Sequence, residues 1–251
     1  TVFDQDFTLQ TANELFDITT GLYHGSDTVA SASANPIRDA NEKRLFVSES
    51  LMMREKINIY RQHAQLLLGN SESRFTSPNS NSTLATDNID EALFFNFKRL
   101  FVRDGIKRET FAIRLMQSSS HPAHNDLVGA VATNLSITQT HPATGSAIFT
   151  DVGASTSVER SETGGDVGNI VNASDTSKAV GLMYYQQGIA ILDMKKVFDG
   201  NQAITGSLSA VGATGKGSLS GSLIPHLMMS ASIDEILEHV ATTRFKSGSN
   251  T

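Results

Sequence analysis

The sequence predicts an α+β fold, mainly antiparallel β-sheet with two or three packed helices and long polar loops. Two apolar runs within residues 181–198 flank Tyr185-Gln186-Gln187-Gly188, a spacing that suits a tight hairpin with glycine in the left-handed conformation. The chain is 39% hydrophobic but only 18% charged, and serine, threonine, asparagine and glycine fill the difference. This composition favours strands and loops over helical bundles, which are rich in Ala, Glu, Lys and Leu.

The N-terminal 47 residues show no sustained hydrophobic periodicity. We predict that residues 1–47 form an extended arm with one or two short strands, with a disordered terminus as the alternative. Within the arm, the small and polar residues 24–36 are interpreted as a linker. Residues 48–251 are predicted to form a single α+β structural domain, and the polar stretch 117–146 is the candidate for a subdivision.

The clearest predicted helix covers residues 48–68. Ser48 or Ser50 supplies an N-cap oxygen, and Gly69 is a natural C′ residue. One apolar stripe at three- and four-residue steps comprises Met53, Ile57, Tyr60, Ala64, Leu67 and Leu68. The polar face is assigned to Arg54, Glu55, Lys56, Arg61 and Gln62. The stripe is interpreted as core packing, with a seam between subunits as the alternative.

Two further helices are predicted with different support. Residues 88–101 carry a helix-like stripe of leucine and phenylalanine, but a strand through residues 94–102 competes because aromatic runs are ambiguous by periodicity. Residues 232–244 open on a capping box formed by Ser232 and Glu235.

Strands are predicted in several other segments. Residues 108–115 alternate strictly, with Phe111, Ile113 and Leu115 on one face, which is typical of a half-buried strand. Residues 127–140 are a candidate strand. Two weak strands, near 204–211 and 218–224, are predicted to be joined by a glycine turn.

Motifs that carry chemistry are weak or broken. The lack of cysteine excludes disulfides, thiolate metal sites and thiol catalysis. The glycine-rich residues 212–218 and 164–168 fail the spacings of phosphate- and dinucleotide-binding loops, and no G-x-S-x-G elbow occurs. His121, His124 and His141 have no carboxylate at a useful spacing. We therefore predict no catalytic, cofactor-binding or metal-binding residues, and no cofactor.

Two other histidines lie within the predicted helices. His63 and His239 are interpreted as solvent-facing or partly packed.

Two charged clusters need an interpretation. The acidic loop comprises Asp151, Glu159, Glu162 and Asp166, where paired acids would suit glycoside cleavage or a divalent cation, although such loops usually serve solubility. The basic cluster comprises Lys98, Arg99, Arg103, Lys107, Arg108 and Arg114. Interleaved phenylalanines suggest a nucleic-acid surface, but the net charge of −6 argues against one. These cations are predicted to border a buried sheet and to pair with acidic residues of the same or another subunit.

Several segments together resemble virion structural proteins of contractile-tailed bacteriophages, especially a group from large marine myoviruses. The resembling segments lie between Met53 and Phe245 and read MREKINIYRQHAQLLLG, FFNFKRLFVRDGIKRETFAIRL, IFTDVGAS, GGDVGNIVN, VGLMYYQQGIAILD and SLIPHLMMSASIDEILEHVATTRF. Resembling proteins continue beyond the position of Thr251, so a whole protein, a processed product and a section of a larger chain all stay open. The resemblance transfers no active-site residue.

The resemblance implies a non-enzymatic structural subunit of the phage tail or baseplate, located in the virion after assembly in the host cytoplasm. Its expected partners are other virion structural proteins and copies of itself, held by helix packing and by β-augmentation. Hairpins such as 181–193 can add to the sheet of a neighbour, and whether this one pairs with its own sheet or with a neighbour's stays open. No nucleic-acid partner is expected because the net charge is −6. No membrane partner is expected because no apolar run approaches the roughly 20 residues that span a bilayer. The alternatives are a capsid, neck or decoration protein, and a tail-associated glycan hydrolase that uses Glu159 or Glu162.

Overall fold

The computed structural model describes residues 2–6, 11–34, 49–77, 87–98, 105–116, 146–156, 159–198, 203–205, 220–222, 224, 228–234 and 236–237. The chain divides into two compact units. Unit 1 comprises residues 1–23, 56–114 and 147–197, and unit 2 comprises residues 24–55, 115–146 and 198–251. Residue 47, the predicted end of the arm, is not a boundary of either unit, and the polar stretch 117–146 falls within unit 2.

The secondary structure of the described residues is mostly β-strand. The strands are β1 (Val2–Asp6), β2 (Thr11–Leu22), β3 (Phe75–Ser77), β4 (Asp87–Ile89), β5 (Glu91–Phe97), β6 (Ala112–Met116), β7 (Ser146–Thr150), β8 (Glu159–Ser161), β9 (Gly165–Asn172), β10 (Asp175–Tyr184), β11 (Ile189–Asp193), β12 (Ala203–Thr205) and β13 (Ser220–Ser222). The helices are α1 (Asp27–Ala34), α2 (Glu49–Leu68), α3 (Met194–Val197) and α4 (Met228–Ser230). The predicted α+β class, mainly antiparallel β, is confirmed.

One sheet of nine strands dominates unit 1. Its strand order is β1-β2-β5-β11-β10-β9-β7-β6, and β8 pairs with the start of β9 on the same edge that β7 uses at the end of β9. The registered pairs of this sheet are antiparallel, and the sheet forms a half-barrel. Two short two-stranded sheets, β3-β4 and β12-β13, complete the β-structure of the described residues.

The hairpin predicted within residues 181–198 is confirmed. Tyr184 pairs with Ile189 across the turn, and Gly188 adopts φ +65°, the left-handed conformation that favours glycine. All five residues of β11 are buried. However, β11 also pairs with β5, and β10 also pairs with β9. Of the two possibilities that the sequence left open, the hairpin pairs with its own sheet rather than with that of a neighbour, because both of its edges are paired within the chain.

The helix predicted over residues 88–101 is wrong. Its described part forms β4 and β5, as the competing strand interpretation held. β5 has partners on both sides, β2 and β11, so its backbone groups are satisfied by long-range pairing that periodicity cannot reveal. Five successive buried residues, Glu91 to Phe95, mark it as a strand covered on both faces.

Helix α2 confirms the prediction for residues 48–68 and ends at Gly69, which has φ +77°. Ser48, a predicted N-cap residue, lies outside the described residues. The buried stripe runs through Lys56, Tyr60, Ala64 and Leu67. The predicted polar position of Lys56 is therefore wrong, because four-residue steps place it on the buried face one turn before Tyr60.

The core of unit 1 lies between α2 and one face of the main sheet. It comprises Tyr60, Ala64, Leu67, Phe75, Ile89, Ala92, Phe94, Val167, Leu182, Tyr184, Ile189 and Ile191. The rings of Tyr60, Phe75 and Phe94 meet edge-on, with centroids 5.2 to 6.2 Å apart. Such aromatic geometry adds to the stability that apolar burial provides.

In unit 2, the predicted linker over residues 24–36 contains α1. The Ser26 Oγ accepts a hydrogen bond from the Val29 N–H at 3.2 Å, so a serine N-cap starts the helix that the polar composition concealed. The described parts of the two weak strands predicted near 204–211 and 218–224 contain β12 and β13, which pair with each other. Residues 206–219, which include the predicted glycine turn, lie outside the described residues.

The described beginning of the predicted helix 232–244 is helical at residues 233, 234, 236 and 237. The Ile236 N–H donates to the Ser232 carbonyl at 3.2 Å, which places Ser232 at the N-cap. Residues 238–244 of this predicted helix lie outside the described residues.

The predicted alternating strand at residues 108–115 is confirmed as β6, although it begins at Ala112. Phe111 and Leu115 are buried, whereas Ala112 and Arg114 are exposed. This strand ends the main sheet opposite β1. The candidate strand at 127–140 lies outside the described residues.

Candidate functional site

A buried carboxylate, Asp151, gathers three hydrogen-bond donors immediately after β7. Its Oδ1 accepts from the Phe111 N–H at 3.0 Å, and its Oδ2 accepts from the Glu109 N–H at 2.8 Å and from the Tyr185 hydroxyl at 2.9 Å. The side chain is fully buried. A buried charge is tolerable only when it is well hydrogen-bonded, and these donors meet that need. We call Arg108, Glu109, Asp151, Asp166 and Tyr185 the Asp151 junction.

Tyr185 enters the junction from the turn of the central hairpin. Burial raises the pKa of the Tyr185 hydroxyl well above its usual value, and the bond donated to Asp151 raises it further. The hydroxyl therefore stays protonated and acts as a donor. A Cβ atom at Gly168 would lie 2.5 Å from the Tyr185 Oη, so the position of the phenol depends on a glycine in β9.

Glu109 holds the next loop in place. It has φ +61°, a conformation that costs energy for a non-glycine residue. Its Oε1 accepts hydrogen bonds from the Gly153 N–H at 3.2 Å and from the Ser155 N–H at 3.3 Å. The strained residue thereby connects the approach to β6 with the loop that follows β7.

The junction also joins the two charged clusters of the sequence. Arg108 of the basic cluster pairs with Asp166 of the acidic loop at 2.5 Å. The backbone reinforces this link, since the Tyr185 N–H donates to the Asp166 carbonyl at 3.1 Å. The prediction that the cations border the sheet and pair with acidic residues is confirmed for Arg108.

A second polar assembly, the Tyr60 clamp, comprises Tyr23, Tyr60, Arg74 and Asp90. Arg74 binds both carboxylate oxygens of Asp90, at 2.6 Å each, and its guanidinium lies 5.0 Å from the centre of the Tyr23 ring. The hydrogen bond to Asp90 raises the pKa of Arg74.

The Tyr60 hydroxyl bridges two residues that face each other across β3 and β4. It accepts from the Phe75 N–H at 2.9 Å and donates to the Ile89 carbonyl at 2.7 Å. Burial raises the pKa of Tyr60 well above its usual value, so the phenol remains neutral. The clamp thereby fastens the small β3-β4 sheet to α2.

The remaining predicted residues that the structure describes do not converge. Glu159 and Glu162 are exposed, on β8 and in the turn after it. Lys98 pairs within the chain with Asp17 and, at 3.4 Å, with Glu14. His63 is partly packed, as predicted, and stacks on Phe94 with ring centroids 3.9 Å apart.

Other predicted positions lie outside the described residues: His121, His124, His141, His239, Arg99, Arg103 and residues 212–218. The glycines at 164–168 form the turn and start of the β8-β9 hairpin. Among the described residues, no group of three or more His, Asp or Glu side chains could hold a metal ion. Within the same parts of the chain, no helix combines the length and hydropathy needed to cross a membrane.

Comparison of the chain with protein-family models, curated proteins and solved structures finds no match.

Sequence reasoning missed most of both polar assemblies. Arg74 and Asp90 lie in a segment interpreted as loop and helix, and Glu109 carried no signal of its left-handed conformation. Asp151 offered one usable signal, since an acid two residues after an apolar run, Ala147 to Phe149, is a candidate for a buried cap. Both assemblies connect segments distant in the sequence, which is why no short sequence pattern revealed them.

Proposed function

We propose that this chain is a non-enzymatic structural subunit of a contractile-tailed bacteriophage particle, present in several copies in the tail or baseplate. The observation that carries the proposal is the open main sheet. Its terminal strands, β1 and β6, each have a strand partner on one side only among the described residues. Such edges can accept a strand from another chain, a common route to stable assembly.

The buried polar groups support a structural role over catalysis. Asp151, Tyr60 and Asp90 each form hydrogen bonds within the chain, to backbone groups or to side chains of distant segments. A general acid or base needs an atom within reach of a substrate proton, whereas the Asp151 oxygens already accept three protein donors. The resemblance of the sequence to virion proteins supports the assignment to a phage particle. The edges of the main sheet support assembly by strand pairing.

The test is to locate the protein in purified particles. Mass spectrometry of separated heads and tails should find the chain in the tail fraction, and electron microscopy should show repeated copies. The purified chain should also self-associate as its concentration rises. A compact monomer with no trace in particles would refute the proposal. Recovery in the head fraction would assign the chain to the capsid instead of the tail.

A catalytic role is tested separately. The purified chain should not turn over host-envelope glycan. Turnover that disappears in Glu159→Gln or Glu162→Gln, but persists in Glu72→Gln as a control on another exposed acid, would overturn the non-enzymatic assignment.

A further inference from the structure

We propose that copies of this chain associate head to tail, with β1 of one copy pairing along β6 of the next and continuing the main sheet. The inference rests on the proposed structural function and adds the partner, a second copy, and the two edges that meet. β1 and β6 are the first and last strands in the sheet order, so one molecule presents both halves of the interface.

The two edge strands match in length and in charge. Each has five residues, Val2–Asp6 and Ala112–Met116. β1 contains Asp4 and Asp6 and no cation, whereas β6 contains Arg114 and no acid. Edge strands commonly carry charges that discourage indiscriminate pairing, so opposite charges on the two edges select one partner.

Full overlap of the strands places their central residues opposite each other. The centre of β1 is Asp4 and the centre of β6 is Arg114, in either strand direction. Residues directly opposite in adjacent antiparallel strands have Cβ atoms about 4.5–5.5 Å apart, which is within reach of a carboxylate and a guanidinium. Arg114 is exposed, and its guanidinium has five N–H donors, enough for a partner carboxylate beside its contacts within the chain.

The same charges oppose symmetric pairing. Two β1 strands paired about a two-fold axis at their centres would bring Asp4 against Asp4, and two β6 strands would bring Arg114 against Arg114. Like charges directly opposite each other destabilise a strand pair. A head-to-tail contact leaves one unused edge at each end, so it propagates into a ring or a filament, as a multi-copy particle component requires.

The Asp151 junction supports this role of β6. It anchors the residues that lead into β6, through the N–H groups of Glu109 and Phe111. The Thr150 hydroxyl also donates to the Phe111 carbonyl at 2.9 Å. An edge held in this way loses little conformational freedom when a partner strand binds, which favours association.

Cysteine cross-linking tests the pairing directly because the chain has no cysteine of its own. Asp4→Cys and Arg114→Cys proteins are prepared separately, mixed and oxidised mildly. A disulfide-linked dimer is expected in the mixture and in neither protein alone. Asp4→Cys mixed with Lys178→Cys, on an exposed part of β10, is the matched control and should give no dimer above background.

Several outcomes would overturn the inference. Dimers of Asp4→Cys alone or Arg114→Cys alone would indicate symmetric edges. A disulfide within single chains carrying both cysteines would indicate that the sheet closes on itself. If the wild-type chain assembles or enters particles but the mixed Asp4→Cys and Arg114→Cys proteins give no cross-link, this interface is refuted and the proposed function stays intact. Wild-type chain that neither assembles nor enters particles would refute both.

Charge reversal gives an independent readout. Asp4→Arg and Arg114→Asp should each require at least about tenfold more protein for half-maximal association, because like charges then meet. An equal mixture of the two variants should associate as the wild type does. When the variants alternate along the assembly, positions 4 and 114 carry opposite charges at every contact. Arg54→Asp, on the exposed face of α2, is the matched control and should leave association unchanged. Circular dichroism confirms folding, and failure of the mixture to recover would contradict the inference.

Discussion

The Asp151 junction and the Tyr60 clamp both fasten a segment through a buried phenol, but they satisfy it differently. Tyr185 donates to a buried carboxylate that also binds two backbone N–H groups. Tyr60 instead bridges a backbone N–H and a backbone carbonyl, while the carboxylate of the clamp, Asp90, is bound by a partly exposed arginine.

The difference shows what each type of group requires in an interior. An ionised carboxylate offers only acceptors, so it must collect several donors to offset the loss of water. A neutral phenol has one donor and two acceptor positions, so two backbone groups suffice. In the junction, three hydrogen bonds therefore converge on the two carboxylate oxygens of Asp151. In the clamp, the hydrogen bonds are divided between the Tyr60 hydroxyl and the Asp90 carboxylate.

The largest expected effect is at the centre of the junction. Asp151→Ala leaves two buried N–H groups and the Tyr185 hydroxyl without an acceptor, and should lower the free energy of unfolding by about 3–5 kcal/mol. Asp151→Asn retains one acceptor oxygen, so its free energy of unfolding should lie between those of the wild type and Asp151→Ala. Urea denaturation at an unchanged m-value is the measurement. A loss below about 1 kcal/mol in Asp151→Ala would show that the junction is dispensable.

Removal of the two phenolic oxygens compares the assemblies directly. Tyr60→Phe leaves a buried donor at Phe75 and a buried acceptor at Ile89, and should cost about 2–3 kcal/mol. Tyr185→Phe leaves Asp151 with two donors, and should cost about 1 kcal/mol. Each variant is the control for the other, since both remove the same atom. Equal losses, or a reversed order, would contradict this account.

Alkaline pH tests the phenols together. Burial raises the pKa of Tyr60, Tyr184 and Tyr185, so the folded chain retains protons that the unfolded chain releases above about pH 10. Stability is thus fully present below pH 10 and is lost as pH rises, by about 1.4 kcal/mol per pH unit for each tyrosine. Denaturation at pH 9, 10 and 11 measures the slope. Tyr60→Phe should reduce it, and an unchanged slope would exclude this phenol as a cause.

The smallest effects are expected at the arginines. Arg74→Lys loses the two-pronged contact with Asp90 and the stacking over Tyr23, and should cost about 1 kcal/mol. Arg61→Lys is the matched control, because its ion pair with Glu72 is exposed on both sides, and it should change stability by less than about 0.5 kcal/mol. Thermal unfolding distinguishes the two. Equal shifts in the unfolding temperature would show that the ion pair to the buried Asp90 contributes no more than the exposed pair.

Elements with a local signal were predictable, and those that depend on pairing were not. The periodicity of α2 and the turn residues of the β10-β11 hairpin are properties of short segments. The leucine and phenylalanine stripe of residues 93–97 fits a helix and a strand equally well. It became β5 because residues 11–22 and 189–193 pair along its two edges. No short window of sequence contains that information.

The candidate site was likewise predictable only in part. The basic cluster and the acidic loop were visible in the sequence, but the pairing of Arg108 with Asp166 spans 58 positions. Lys56 was assigned to the polar face from its charge, although its four-residue step to Tyr60 was a signal of burial.

The sequence by itself determined the position of α2 and of the β10-β11 hairpin, because capping residues, turn glycines and apolar spacing act within a few residues. Only the tertiary structure decided the roles of these elements. It placed the central hairpin in the interior of the sheet, left β1 and β6 at its ends and gathered three donors around Asp151. These outcomes depend on segments brought together by the burial of the whole chain, since backbone pairing and the desolvation of a charge are satisfied by whichever partners lie nearby in space.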